Sequence, residues 1–252
     1  MQSITLRIKG VKNLKKLKLI CIPPAGGTAT AYWKWKPYLH PSIELVSVEL
    51  SGKGSRFSQP LYENVEEAVC DILSSIRKDI SGCTYAVFGH SMGAMLAFEL
   101  LHALESSGFN LPVCSFFSGK NPPHQATYKN RHLLNDEEFW DEIRRIGGTP
   151  EEVLVNLEVR ELLSPILRRD FKLVDTYKFT PGRATINCPF VVMNGHKDSL
   201  ISTEKMKEWE LYSKCKTNLH DFKGGHFFIF DNAEEVVKMV NQYLLRHVPL
   251  ND

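Results

Sequence analysis

No apolar run in these 252 residues approaches the length of a membrane-spanning helix, and the N-terminus lacks the apolar core of a secretory signal. A cytoplasmic protein is the expectation. Net charge is scarce too: Lys+Arg of 31 against Asp+Glu of 29 leaves a formal charge of +2, too near balance for a dedicated nucleic-acid surface. The one local basic bias, Lys9, Lys12, Lys15, Lys16 and Lys18, reads as a solvated face. The cysteines Cys21, Cys70, Cys83, Cys114, Cys188 and Cys215 are scattered and form no C-x-x-C pair. A disulfide framework or a zinc site needs closer grouping, so reduced thiols are expected. Internal repeats and low-complexity linkers are also missing. What remains, with 43% hydrophobic and 24% charged residues, is an ordinary globular chain of a length that suits a single domain over residues 1–252.

Within it, short apolar runs alternate with helical patterns. Leu17–Ile22 reads as a strand leading into PPAGGTAT, and Ile43–Leu50 as a second strand ending at SGKGSRFSQP. Val65, Ala68, Val69, Ile72 and Ile76 then recur at helical spacing across about 64–80. Further strands are predicted at Tyr85–Phe88, Val113–Phe117, Phe190–Asn194 and Thr217–Phe222, with helices after Ser91, over Glu204–Tyr212 and over Ala233–Arg246. Such alternation specifies an α/β fold: a mostly parallel sheet covered by helices on both faces.

The stretch from about 121 to 186 breaks the pattern, because it carries helical signals only. Asn135-Asp136-Glu137-Glu138 precedes the periodic Phe139, Trp140, Ile143 and Ile146, and Gly147-Gly148 stops that helix. Thr149-Pro150-Glu151-Glu152 has the form of a capping box with proline at the first helical position, and a further helix is predicted around Ser164–Tyr177. An insertion of this size exceeds a simple connection. It is either an extra packed segment or a helical lid beyond the carboxyl ends of the strands, where open α/β sheets bind ligands.

FGHSMGAM at 88–95 sets a serine between two glycines where a strand turns into a helix. The pattern G-x-S-x-G suits a strained corner that projects the hydroxyl of Ser91 clear of the sheet, although a serine there could also merely cap a helix. A serine nucleophile needs a base, and the base needs an orienting carboxylate, following in the order Ser, Asp or Glu, His in this architecture. Asp198 lies just beyond the strand ending at Asn194, and His226 follows Gly224-Gly225 after the next strand. His90, inside the elbow, reads as a packing or hydrogen-bonding residue; His196 and His220 read as structural or exposed, and Asp221 and Asp231 do not follow the penultimate strand. Acyl transfer also needs donors for an oxyanion, each worth ~2.7–4 kcal/mol of barrier. The amide of Met92, after the serine, and that of Ala25 in PPAGG are the candidates. PPAGG is no P-loop, since no Gly-Lys-Ser/Thr follows it.

Taken together, PPAGG, SGKGSR, FGHSMGA, GHKD and GGHFF resemble the stand-alone type II thioesterases of nonribosomal peptide and polyketide synthesis, and NPPH, RRIGGTP and RDFKLVDTY resemble that family's lid. The resemblance implies the α/β-hydrolase fold, with nucleophile, acid and base on Ser91, Asp198 and His226 and oxyanion amides on Ala25 and Met92. It implies hydrolysis of acyl groups from the phosphopantetheine arm of acyl- or peptidyl-carrier domains, with no cofactor or metal of the enzyme's own. The start at Met1 and the lack of a carrier domain are read as those of a discrete enzyme, expected to be a monomer. The family usually has Pro and Arg where this chain has Ser51 and Lys53, a departure expected to affect only a loop away from the triad. Two other readings stay open: a fatty-acyl carrier-protein thioesterase or carboxylesterase of the same fold, and a non-catalytic protein that docks on a synthase.

Overall fold

A computed structural model describes residues 16–126 and 129–248. Six strands form one parallel sheet: β1 (Leu17–Ile22), β2 (Ile43–Ser47), β3 (Tyr85–His90), β4 (Ser115–Ser118), β5 (Phe190–Gly195) and β6 (Thr217–Phe222), in the order β2-β1-β3-β4-β5-β6. The chain runs outward from β1 to β2 and then returns to lay β3 on the other side of β1. The crevice beyond the carboxyl ends of β1 and β3 is therefore the topological switch point, the natural ligand site of such a sheet.

The strands are apolar in continuous runs because both faces are covered. Ile20, Ile22, Val87, Phe117 and Val192 pack with α1 (Val65–Ile80) and α2 (Met92–Ser106). The alternate residues Leu19, Cys21, Phe88, Phe116 and Val191 pack with the short α6 (Phe228–Asp231) and with α7 (Ala233–Leu244) on the opposite face. Every residue of β3 and β5 is buried, whereas β6, at the edge, is half exposed. On the α7 side Trp35 packs edge-on to Phe88 at 4.7 Å and donates Nε1–H to the carbonyl of Ile229 at 3.0 Å. On the other side Trp209 stacks on Phe117 at 4.3 Å.

Between β4 and β5 come two short 3₁₀ turns, then α3 (Asp136–Ile146), α4 (Glu151–Val155) and α5 (Leu157–Thr176), with no strand among the described residues. These helices have their own core of Phe139, Trp140, Ile143, Leu154 and Phe171. Phe139 meets Phe171 edge-on at 5.7 Å, and Trp140 Nε1–H donates to Ser164 Oγ at 3.0 Å. Leu173 and Tyr177, at the end of the segment, belong to the sheet core and anchor it to the body.

Several local expectations are corrected. α5 begins at Leu157, well before Ser164, and carries Pro165 inside it. The Asn156 side chain caps it by accepting from the Val159 amide at 3.1 Å, and burial of one face outweighs the lost helical bond. The capping box at Thr149–Glu152 does not form: Pro150 occupies the cap position, offers no side-chain acceptor, and α4 lasts only five residues. Lys205–Tyr212 is 3₁₀ rather than α-helical. β2 stops at Ser47, β4 spans Ser115–Ser118, and α7 ends at Leu244, followed by a 3₁₀ turn over Leu245–His247. All six cysteines are free, and no cluster of metal-binding side chains occurs among the described residues. No described helix is long and apolar enough to cross a membrane. Of the N-terminal lysines, Lys9, Lys12 and Lys15 lie outside the described residues, Lys16 is exposed, and Lys18 pairs with Asp79 at 2.7 Å.

Trp209, only 1% exposed, is the main apolar anchor of its 3₁₀ segment. Trp209→Ala should lower the unfolding free energy by about 3–5 kcal/mol. The measurement is a fall in the urea midpoint at unchanged slope.

Candidate active site

Ser91 has φ 55° and ψ −113°, the only positive φ at a non-glycine among the described residues. The corner is held from both sides: its amide donates to the Ser118 carbonyl of β4 at 2.8 Å, and its carbonyl accepts from Ala94 and Met95 of α2. The flanking glycines are demanded by backbone proximity. A Cβ on Gly89 would stand 2.1 Å from the Gly93 carbonyl oxygen, and one on Gly93 would stand 2.2 Å from that of Ile22. The strand-to-helix crossing leaves no room for side chains, so the serine hydroxyl is the group that projects.

The other two residues arrive from neighbouring strand ends. Asp198 follows β5, and its carboxylate is fixed by the Leu200 amide, which donates to Oδ1 at 2.9 Å. Its Oδ2 faces His226 Nδ1 at 2.7 Å, and His226 Nε2 lies 2.9 Å from Ser91 Oγ. Asp198 and His226 are each 6% exposed, so the chain of hydrogen bonds is largely withdrawn from water. Gly195 makes the approach possible: a Cβ there would stand 2.3 Å from the Gly225 carbonyl oxygen, so the two loops touch backbone to backbone. Gly195 is a residue that sequence reasoning passed over, although a glycine ending a strand was the available signal.

Met92 opens α2, where first-turn amides have no intrahelical acceptor. Ala25 lies in the turn after β1, lines the same small cavity as Ser91 and His226, and its amide makes no hydrogen bond among the described residues. That constellation of a strained serine, a histidine and a buried carboxylate at the switch point of a parallel sheet defines a serine hydrolase site of the α/β-hydrolase class.

Two small cavities open on Ser91. One, of about 60 Å³, lies under the helical segment against Ile143, Phe171, Val174, Leu167 and Phe227. The other, of about 80 Å³, is more polar, with Lys120, Asn121, Gln125, Lys129 and Arg131 around it. Arg131 is committed to Asp175, to which Nε donates at 3.0 Å and a terminal nitrogen at 2.5 Å. Loss of hydration and the nearby Arg131 push the Lys120 ammonium down to about 8, Asp175 opposing. Beyond the apolar cavity is a groove of about 500 Å³ between the helical segment and the loops after β1 and β2. Pro24, Ala25, Thr149, Leu167 and Phe227 line both spaces and form the partition. Of the apolar residues of this segment, Ile143 and Phe171 face the small cavity and Leu163 the groove, while Phe139, Trp140 and Leu154 are internal and Leu157 and Leu162 are exposed. Arg131 and Leu200 carried no recognisable signal in the sequence, whereas Val174 and Phe227 stood only inside the runs RDFKLVDTY and GGHFF, with no role assigned to them.

The SGKGSR loop is not remote from the site, contrary to expectation. Lys53 is buried and shares the groove with Ala25 and Gly26. Ser51 is also buried, its amide donating to the Tyr62 hydroxyl at 2.9 Å. The rival histidines and acids stay outside the hydrogen-bonded chain: His196 Nδ1 faces the Phe222 carbonyl, His220 meets the Tyr243 hydroxyl, and Asp221 and Asp231 are exposed.

A family model described as "Thioesterase domain" matches residues 17–244, and the chain belongs to the thioesterase family. It is 33% identical over 229 residues to "Thioesterase PikA5" of Streptomyces venezuelae, covering 91% of this chain and 81% of that one. It is 31% identical over 235 residues to "Gramicidin S biosynthesis protein GrsT" of Aneurinibacillus migulanus, covering 93% and 91%. Among solved structures, that of ClbQ from the colibactin NRPS/PKS pathway superposes with a TM-score of 0.87 at 36% identity, covering 92% of this chain and 98% of that one.

His90 lies directly behind His226, ring centroids 5.0 Å apart, with Nδ1 3.0 Å from Ser118 Oγ. Burial, and then the neighbouring His226, hold its pKa well below 6.5, the contact with Ser118 opposing. The unfolded chain takes up a proton below about 6.5 that folded His90 refuses, so stability falls as pH drops below that value. Replacing His90 by Gln should flatten the dependence of Tm on pH between about 5 and 6.5, measured against the wild-type slope.

Proposed function

We propose that the protein hydrolyses acyl thioesters carried on the phosphopantetheine arm of acyl- or peptidyl-carrier domains, clearing misprimed or stalled nonribosomal peptide and polyketide synthases. The observation that carries the reading is the continuous hydrogen-bonded chain from Asp198 through His226 to Ser91, at 2.7 and 2.9 Å. The biosynthetic names of the relatives supply the substrate class.

In this reading His226 is neutral, with its proton on Nδ1 toward Asp198 and a free lone pair on Nε2. Ser91 Oγ attacks the thioester carbonyl carbon as Nε2 takes the hydroxyl proton. The amides of Ala25 and Met92 bind the oxyanion, and Asp198 stabilises the imidazolium and fixes its tautomer. Collapse breaks the carbon–sulfur bond, and the imidazolium returns the proton to the departing pantetheine sulfur. Water, deprotonated by the same nitrogen, then attacks the acyl-enzyme and releases the acid with Ser91 restored. The chemistry calls for no metal and no cofactor of the enzyme's own, since pantetheine stays with the carrier. The helical segment acts as a lid, its apolar underside receiving the acyl chain. The reading places the enzyme in the cytoplasm as a monomer, working on soluble carrier domains and not on nucleic acid or membrane.

Ser91→Ala should lower hydrolysis of acyl-carrier thioesters by about 10⁴-fold or more and abolish fluorophosphonate labelling, at unchanged circular dichroism. Persistence of turnover in that variant overturns the nucleophile assignment. Higher kcat/KM for simple esters than for acyl-carrier substrates would indicate a carboxylesterase, and absence of labelling in the wild type a docking protein.

A further inference from the structure

We propose that Asp170, on the lid helix α5, is a positioning residue that holds the oxyanion loop in its working conformation, with Lys53 as its buried partner. The inference rests on the reading of Ala25 as an oxyanion donor and extends it to residues with no place in the triad.

The loop in question is a tight turn: the Gly27 amide donates to the Pro24 carbonyl at 3.0 Å, putting Ala25 and Gly26 at its two central positions. Gly26 has φ 72°, the sign that a type II turn requires at its third residue. Types I and II differ by a flip of the central peptide, here Ala25–Gly26, so the direction of the Gly26 N–H records which one is present. That N–H donates to Asp170 Oδ2 at 2.6 Å. The same oxygen accepts from Lys53 Nζ at 2.5 Å, and both charged side chains are 2% exposed.

α5 grips the turn at a second point. A Cβ on Gly26 would stand 2.5 Å from Leu167 Cδ2, and Leu167 and Asp170 are three residues apart, on one face of the helix. At its far end the loop is fixed to the body instead, by the Ala29 amide donating to Glu49 Oε1 at 2.9 Å. The segment bearing the Ala25 amide is thus suspended between the sheet domain and the lid. A buried carboxylate with one neutral amide as partner would be poorly compensated, and Lys53 supplies the opposite charge. Moving α5 away would release the Ala25–Gly26 peptide, and with it the restraint on the adjoining Pro24–Ala25 peptide that carries the Ala25 N–H, while leaving Ser91, His226 and Asp198 in contact. The catalytic dyad and its acid are therefore assembled in either lid position, whereas the oxyanion donor from this loop is complete only with α5 seated.

The test separates positioning from mere stability. Replacing both charges with apolar residues of similar size, Lys53→Met with Asp170→Leu, removes the acceptor of the Gly26 amide without stranding a buried charge. With an acyl-N-acetylcysteamine thioester as substrate, kcat should fall about 10- to 100-fold, with KM within about twofold and the urea midpoint near that of wild type. Affinity for a trifluoromethyl ketone, which forms a tetrahedral oxyanion on the serine, should fall by the same factor. Asp170→Glu, which keeps the charge pair and shifts the oxygen by one methylene, should behave alike and decides the matter if the double variant does not fold. Folded variants with wild-type kcat and inhibitor affinity, or a loss confined to KM, would overturn the proposal. Failure of the serine mechanism itself shows separately, as activity surviving in Ser91→Ala.

Discussion

The structure turns on one backbone constraint: Ser91 must sit at a positive φ, against the steric preference of an L-residue. β4 holds its amide, the first turn of α2 holds its carbonyl, and Gly89 and Gly93 let those elements come close enough to do so. The sheet core on either side of β3 supplies the rigidity that keeps the corner from relaxing. Everything else in the site is placed relative to that fixed hydroxyl.

The remaining parts are brought in by loops of graded attachment. Asp198 and His226 come from loops that contact each other through Gly195 and Gly225, close to the strands that launch them. The turn bearing Ala25 depends on a helix more than a hundred residues away in the chain, since Asp170 and Gly26 are separated by 144 positions. Attachment to the sheet is direct for the Asp198–His226–Ser91 chain and indirect for the turn bearing Ala25. The two kinds of attachment meet at Ser91, beneath a segment that has its own small core.

Much of this was legible in the sequence, for a physical reason. Parallel strands buried on both faces read as continuous apolar runs, and the residues just beyond their carboxyl ends converge whatever lies between them. That is why Ser91, Asp198 and His226 could be ordered from the chain alone. Legibility ended where the outcome depended on distant partners. The helix expected around Ser164–Tyr177 instead begins at Leu157 and runs through Pro165, because its buried face and the Asn156 cap stabilise it. Thr149–Glu152 had the letters of a capping box, but Pro150 took the cap position. Lys53 read as part of a loop away from the triad, and only the tertiary structure shows it shut in against Asp170, 117 residues on.

The distribution of indole rings has an optical consequence. Trp35 lies in the core on one face of the sheet and Trp209 in the core on the other, while Trp33 is 55% exposed. Trp140 alone belongs to the helical segment over the site, 3% exposed, with the Arg160 guanidinium over its ring at 5.1 Å from the centroid. Each compartment of the molecule therefore carries its own native chromophore. With the other three indoles replaced by phenylalanine, the emission of Trp140 would follow the hydration of that helical segment in solution, with no dye attached near the serine.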